Sequence, residues 1–262
     1  MRILVTGAAR AIGAATCRAL ASAGHEVIAT ARDASALADL PVAEIQELDV
    51  TDEESVTAAL DAAGDLDGIV NNAALPGYAP VESIPLEHLR TMFETNTIGP
   101  LRLIQGVLPS WRERGSGVIV NVSSVQGRVA SPLEGAYAAT KFGLEALSEA
   151  LHYEISHFGI RVALIEPGYI APGMKKIDPL PYPAAYQGLY DEWEGTDAKV
   201  TGAGGRPGPE VVATAVVSAI EDPQTPLRVP VGDDASMILA ARASMDDASF
   251  EAAMRQVLGL SW

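Results

Sequence analysis

The runs RILVT, EVIATA, EIQELDV, DGIVNN, GVIVNVSS, IRVALIEP and LRVPVG recur along the chain, separated by alanine-rich stretches of amphipathic helical pattern. Short apolar runs of this kind suit strands buried on both faces. Their alternation with helices predicts an α/β fold, a doubly wound parallel sheet with helices on both faces. Ligands of such sheets bind beyond the carboxyl ends of the strands. Chemistry is therefore expected at the residues that follow the runs: Gly7, Arg32, Asp49, Asn71, Ser124 and Pro167. A chain of 262 residues that is 48% hydrophobic can bury a large core. No repeat, linker or low-complexity tract divides it, so one domain, 1–262, is expected.

Charge and cysteine content narrow the partners. Eighteen Lys and Arg against 34 Asp and Glu give a formal net charge of −16, which argues against nucleic acid and against an anionic membrane surface. The lone cysteine, Cys17, and the absence of a secretory signal pattern point to a cytoplasmic protein. Four histidines, at 25, 88, 152 and 157, share no ligand spacing, so no metal is expected.

The first run leads into TGAARAIG, residues 6 to 13. A turn here brings backbone N–H groups and a helix amino end against a pyrophosphate, provided its residues are small. Gly7 and Gly13 stand at its two ends, with Arg10, Ala11 and Ile12 between; Ala11 occupies a place where dinucleotide turns usually carry glycine. Taken alone the turn is weak evidence, since many strand-to-helix turns carry glycine for structural reasons. The second strand ends VIATARD. An acid at this strand end accepts from an adenosine ribose, whereas an arginine favours a 2′-phosphate. Ala31 replaces the acid and Arg32 follows, so Arg32 with Arg10 favours NADP(H), with NAD(H) left open. Asp33 offers either an ion pair to Arg32 or an acceptor for a ribose hydroxyl.

YAATK sets Tyr137 and Lys141 four residues apart, on one face of a predicted helix. A phenol of pKa about 10 is a poor base at neutral pH. A cation about 4 Å away contributes up to about 4 kcal/mol at intermediate dielectric, and the pair is therefore expected to be tuned toward neutrality. Ser124, at the end of NVSS, would hydrogen-bond a substrate oxygen beside the same phenol.

These motifs together resemble the classical short-chain dehydrogenase/reductase family. TGAARAIG, LDV with Asp49, NNAA at 71 to 74, Asn96 in ETNTIG, Ser124, YAATK and PG at 167 to 168 follow the family's order and approximate spacing, from residue 1 to about 170. The resemblance implies a single-domain Rossmann fold and a catalytic tetrad of Asn96, Ser124, Tyr137 and Lys141. It also implies that Asp49 and Val50 flank the adenine, that Asn71 and Ala73 line the cofactor groove, and that Pro167, Gly168 and Ile170 lie by the nicotinamide. Lys141 would hold ribose hydroxyls, and Asn96 would bind a water linking Lys141 to solvent. The implied reaction is hydride transfer between NADP(H) and a carbonyl or secondary alcohol, with Tyr137 as general acid/base and a dimer or tetramer as the assembly.

Two other readings compete with this one: a catalytically silent dinucleotide-binding sensor, and a cofactor-free dehalogenase-type lyase on the same fold. The intact tetrad argues against the first and Lys141 against the second. Three positions depart from the pattern: Ala11, Ala74, and Pro172, where many members carry a threonine for the carboxamide. Alanine at 11 and 74 adds one methyl and is expected to be tolerated. Pro172 has neither a side-chain donor nor an N–H.

Residues from about 172 to 209 form the irregular part of the chain. Within it Tyr182, Tyr186, Leu189, Tyr190 and Trp193 fall on one apolar helical stripe. It is either an aromatic lid over the substrate, hinged at glycine-rich 202 to 205, or a helix packed on the body of the protein or on a neighbouring subunit. Gln126, Leu133, Glu134, Met174, Tyr186 and Tyr190 are the candidate pocket residues, for a small and fairly apolar carbonyl or alcohol.

Overall fold

A computed structural model describes residues 1–174, 180–201 and 204–262. Seven strands, β1 (Arg2–Val5), β2 (Glu26–Ala31), β3 (Glu44–Glu47), β4 (Gly68–Asn71), β5 (Gly117–Val122), β6 (Ile160–Pro167) and β7 (Arg228–Val231), coincide with the seven apolar runs. They form one parallel sheet in the order β3-β2-β1-β4-β5-β6-β7. Val5 pairs with Ala29 on one side and Val70 on the other, so the strand order reverses at β1 and opens a crevice between β1 and β4.

Period-two geometry sends successive side chains to opposite faces of the sheet. Ile3, Val5, Val27, Ala29, Val118 and Val120 bury one face under α1 (Ala11–Ser22) and α8 (Glu210–Glu221), through Cys17, Leu20, Val212 and Val216. Leu4, Ile28, Ile69 and Ile119 bury the other under α2 (Glu53–Ala63), α4 (Gly99–Arg114) and α5 (Gly135–Ile155). The outer strands are less covered. β3 alternates between half-buried and exposed positions, and β7 carries Pro230, which an edge strand tolerates because one side needs no donor.

The helix α3 (Leu86–Phe93) runs into α4 through a π turn, Glu94–Ile98. Beyond β6 lie α6 (Gln187–Trp193) and α7 (Thr196–Thr201), and after β7 come α9 (Asp233–Ser244) and α10 (Asp247–Leu258). The expected aromatic stripe is a short helix whose Leu189 and Trp193 are buried with Leu133 and with Leu258 of α10. Of the hinge expected at 202 to 205, residues 202 and 203 lie outside the described residues. No helix among the described residues is long and apolar enough to cross a membrane, and they contain no cluster of metal-ligating side chains.

Candidate active site

The turn after β1 is held from two sides. Asn72 donates its amide to the carbonyls of Thr6 (2.9 Å) and Gly7 (3.1 Å), while Thr6 Oγ1 accepts from the N–H groups of Asn72 and Ala73, each at 3.0 Å. Gly7 has φ +66°, and a Cβ there would meet Ala73 Cα at 2.8 Å, so the chain needs glycine for both conformation and space. Ala11 has φ +45°. The expectation that it merely adds a methyl is corrected: the residue sits in the left-handed region, where an L side chain costs about 1 kcal/mol or more whatever the surrounding room.

Arg10 precedes α1 with no side-chain cap, and the first turn of that helix holds no acidic residue. Its leading N–H groups are thus open to an anion. The amino end of α2 is already satisfied, because Asp52 accepts from the N–H groups of Glu54 and Ser55 and two glutamates occupy the first turn.

Arg10 and Arg32 are exposed and form no ion pair among the described residues. Asp33 caps a short turn instead, accepting from Ser35 N (3.0 Å) and Ser35 Oγ (2.6 Å), which holds its carboxyl below the usual range. It therefore leaves Arg32 unpaired. Asp49 accepts from Thr51 N and Oγ1 through one oxygen, and Val50 is buried against Gly99.

The groove assignment of Asn71 needs correcting. Asn71 is 3% exposed and its amide donates to Asn121 (2.8 Å), which in turn donates to Ser148 Oγ of α5 (2.8 Å). Its side chain ties β4 to β5 inside the fold rather than lining the groove, and Asn72 is the residue that shapes the turn. Asn96 is placed in the π turn and its amide ties neighbouring segments together: Oδ1 accepts from Leu75 N (2.7 Å), and Nδ2 donates to Leu75 O (2.9 Å) and Thr140 Oγ1 (3.0 Å). Both amide N–H groups are thereby used within the fold.

At the end of β5, Ser124 Oγ accepts from Gln126 N (3.1 Å) and hydrogen-bonds the phenol of Tyr137, one turn into α5. Lys141, on the same face of α5, is 2% exposed; its Nζ donates to Val122 O at 2.8 Å and lies 5.8 Å from the Tyr137 ring centroid. The expectation of a phenol tuned toward neutrality is corrected here. Burial, reinforced by the charge of Glu134 and opposed by the Ser124 hydrogen bond, holds the Tyr137 phenol above its ordinary value. The lysine faces a carbonyl and the ring rather than the hydroxyl. Burial brings the ammonium down to about 8, with Glu145 opposing.

On the strand side, Pro167 is buried and Ile170 packs into the core beneath the sheet end. Gly168 must be glycine because the Asp234 carboxylate lies 2.2 Å from where a Cβ would stand. Asp234, 4% exposed at the start of α9, accepts from Tyr169 N at 2.7 Å and so fixes the loop after β6. The Arg206 guanidinium covers the Tyr169 ring at 5.3 Å.

The pocket residues divide. Gln126 donates its amide to Glu134, whose carboxyl is raised by burial, partly offset by that bond and by Arg206. Tyr78 joins them, with Tyr190 edge-on to its ring at 5.4 Å. Leu133, at φ +65°, is buried between this group and α6. Tyr186 is not brought to the site: its hydroxyl donates to Glu82 (2.6 Å) and its ring faces Trp262. Met174 is exposed.

Sequence reasoning misses Tyr78, Asp234 and a buried network in which Arg228 donates to Glu145 (2.8 Å) near Glu166. Only Glu145 carries a local signal, four residues after Lys141 on α5.

A parallel sheet reversing between β1 and β4, with its polar residues gathered at the strands' carboxyl ends, defines a Rossmann-type α/β protein. The chain belongs to the short-chain dehydrogenase family, an oxidoreductase family whose model matches residues 1–179. It is 33% identical over 235 residues to an uncharacterised oxidoreductase of Schizosaccharomyces pombe, covering 87% of this chain and 98% of the relative. Among solved structures, a short-chain dehydrogenase from Streptomyces avermitilis superposes with a TM-score of 0.83 at 34% identity, over 98% of this chain and 96% of that one. Another from Burkholderia cenocepacia, solved in complex with NADP, gives 0.79 at 27% identity over 97% and 96%.

Proposed function

We propose that the protein interconverts a carbonyl compound and a secondary alcohol with NADP(H) as the preferred nicotinamide dinucleotide. The observation that carries this reading is the joining of Ser124, Tyr137 and buried Lys141 at the strand ends, across the crevice from the bare amino end of α1. The residues fit the cofactor. The open N–H groups of α1 suit a pyrophosphate, Arg10 and Arg32 suit a 2′-phosphate, and the NADP complex of the Burkholderia relative agrees with both. When bound, the nicotinamide supplies or accepts the hydride.

The chain's own residues handle the oxygen and its proton. Ser124 donates to the carbonyl oxygen, where negative charge develops as the carbon is reduced. The phenol of Tyr137, protonated at neutral pH because burial holds its pKa up, delivers the proton to that oxygen. In oxidation the phenolate form of Tyr137 takes the proton of the alcohol as the hydride leaves the carbon. The helix α6 acts as a partial lid, with Tyr190 against Tyr78 on the inside and Leu189 and Trp193 anchoring it to α10. Its aromatic lining suits a largely apolar substrate body. An apolar groove between α4 and α5, lined by Leu101, Ile104, Leu147 and Leu151, supplies the face for a homo-oligomer, which light scattering on the purified protein would register.

The test is absorbance at 340 nm with NADPH and NADH against a panel of ketones and alcohols. Turnover with NADPH at a lower KM than NADH is the expected result. Absence of dinucleotide binding would overturn the reading.

A further inference from the structure

A carboxylate beside a phenol that must give up a proton has no evident use in hydride transfer itself. Glu134 is such a group: it stands one residue before α5, raises the phenol of Tyr137 by its charge, and does the same to Tyr78. Its carboxylate takes the N–H of the Gln126 side chain. The amide thus turns its nitrogen to the carboxyl group. The Gln126 oxygen is then the other end of the amide, and it is buried with no hydrogen-bond partner in a residue that is 7% exposed. An orphaned buried acceptor is costly if its role is structural alone. Gln126 follows Ser124 by two positions and Glu134 precedes Tyr137 by three, so the carboxylate and the orphaned amide oxygen flank the residues that hold the reacting oxygen.

We propose that Glu134 and Gln126 form an acceptor site for a hydrogen-bond donor on the substrate, a hydroxyl or an ammonium carried within a few bonds of the carbonyl carbon. This deepens the oxidoreductase reading and rests on it. The substrate class is accordingly a hydroxy- or amino-substituted ketone, or the matching diol or amino alcohol, with an apolar remainder against Tyr78 and Tyr190. Arg206 moderates the carboxylate's charge without removing its capacity to accept.

The test compares kcat/KM for acetophenone, 2-hydroxyacetophenone and 2-aminoacetophenone, with NADPH, in the wild type, Glu134→Gln, Glu134→Leu and Gln126→Met. The wild type is expected to favour at least one donor-bearing ketone over acetophenone by about tenfold or more, since sites built to bond a polar group discriminate against analogues lacking it. Glu134→Leu should abolish that preference and Gln126→Met should weaken it. Glu134→Gln, which keeps an acceptor oxygen but no charge, should lower the ammonium preference more than the hydroxyl preference. That contrast tells the two donors apart. Ratios within one variant are read, so a general loss of rate does not imitate the effect. Thermal melts show which variants fold, and Gln126→Met serves if Glu134→Leu does not. A wild type that reduces acetophenone as well as its substituted analogues, or a preference unmoved by all three substitutions, overturns the acceptor site. No turnover of any ketone, with dinucleotide binding absent, overturns the oxidoreductase reading instead.

Discussion

At the turn after β1 the polar groups are left open, whereas at the ends of β5 and β6 they are committed to one another. α1 begins with uncapped N–H groups and Arg10 and Arg32 face solvent, while Ser124, Tyr137, Lys141, Asn96 and Asp234 each hold a hydrogen bond within the protein. The first arrangement gains its order from an anion that fills it. The second is ordered in advance, as a site must be if its donors are to act without reorganising at the moment of reaction. Among the described residues, Ser123 Oγ and the Gln126 oxygen are buried at the second end without a partner, and it is at the latter that a substrate group is proposed.

The largest effect that would break the contrast is expected at the ordered end. Tyr137→Phe should lower kcat by about 100-fold or more, with dinucleotide affinity, followed by fluorescence titration, nearly unchanged. A comparable loss of affinity would mean that the phenol belongs to binding. At the open end, Arg10→Ala and Arg32→Ala should each raise the KM for NADPH about tenfold, the scale of one charge-assisted hydrogen bond. The KM for NADH should stay where it is; equal changes for both cofactors would remove the 2′-phosphate assignment.

Asp234→Ala leaves the Tyr169 N–H without its partner and should destabilise the fold by about 1–3 kcal/mol, read by denaturant melts. Asp234→Asn, which keeps an acceptor, should recover much of that and show its defect in kcat rather than in cofactor KM. Comparable in size is the signature of Lys141, brought from its ordinary 10.5 to about 8. Between those values the unfolded chain binds the proton more readily than the folded protein does, so this residue's contribution to stability rises with pH. The Tm difference between wild type and Lys141→Met should therefore shift in favour of the wild type from pH 7.5 to 10. A constant difference would mean that the ammonium is not desolvated. Ala11→Gly is the mildest change: relief of the +45° backbone against added freedom in the unfolded chain should leave a gain within about 1 kcal/mol.

The sheet was legible because buried parallel strands are written as apolar runs, and each of the seven runs contains one. That Ser124, Tyr137 and Lys141 lie near one another was legible from strand end and helical spacing, while their roles rest on the resemblance of the whole motif set. The direction of the phenol's titration was not, since spacing reports a nearby ammonium but neither the burial nor the carbonyl of Val122 that claims it. The partners of Asn96 were not legible, since its amide bonds Leu75 and Thr140, 21 and 44 positions away. Asp234 was beyond reach: it touches a loop 65 positions earlier, and no periodicity encodes such a contact.

That distance also means that the two loops take their supports from different parts of the chain. The turn after β1 is braced by Thr6 and Asn72, at the ends of β1 and β4. The loop after β6 is held by Asp234 and by Val231, whose carbonyl accepts the Gly168 N–H. A chain shortened to end before β7 would keep the bonds that brace the first loop and lose those that hold the second.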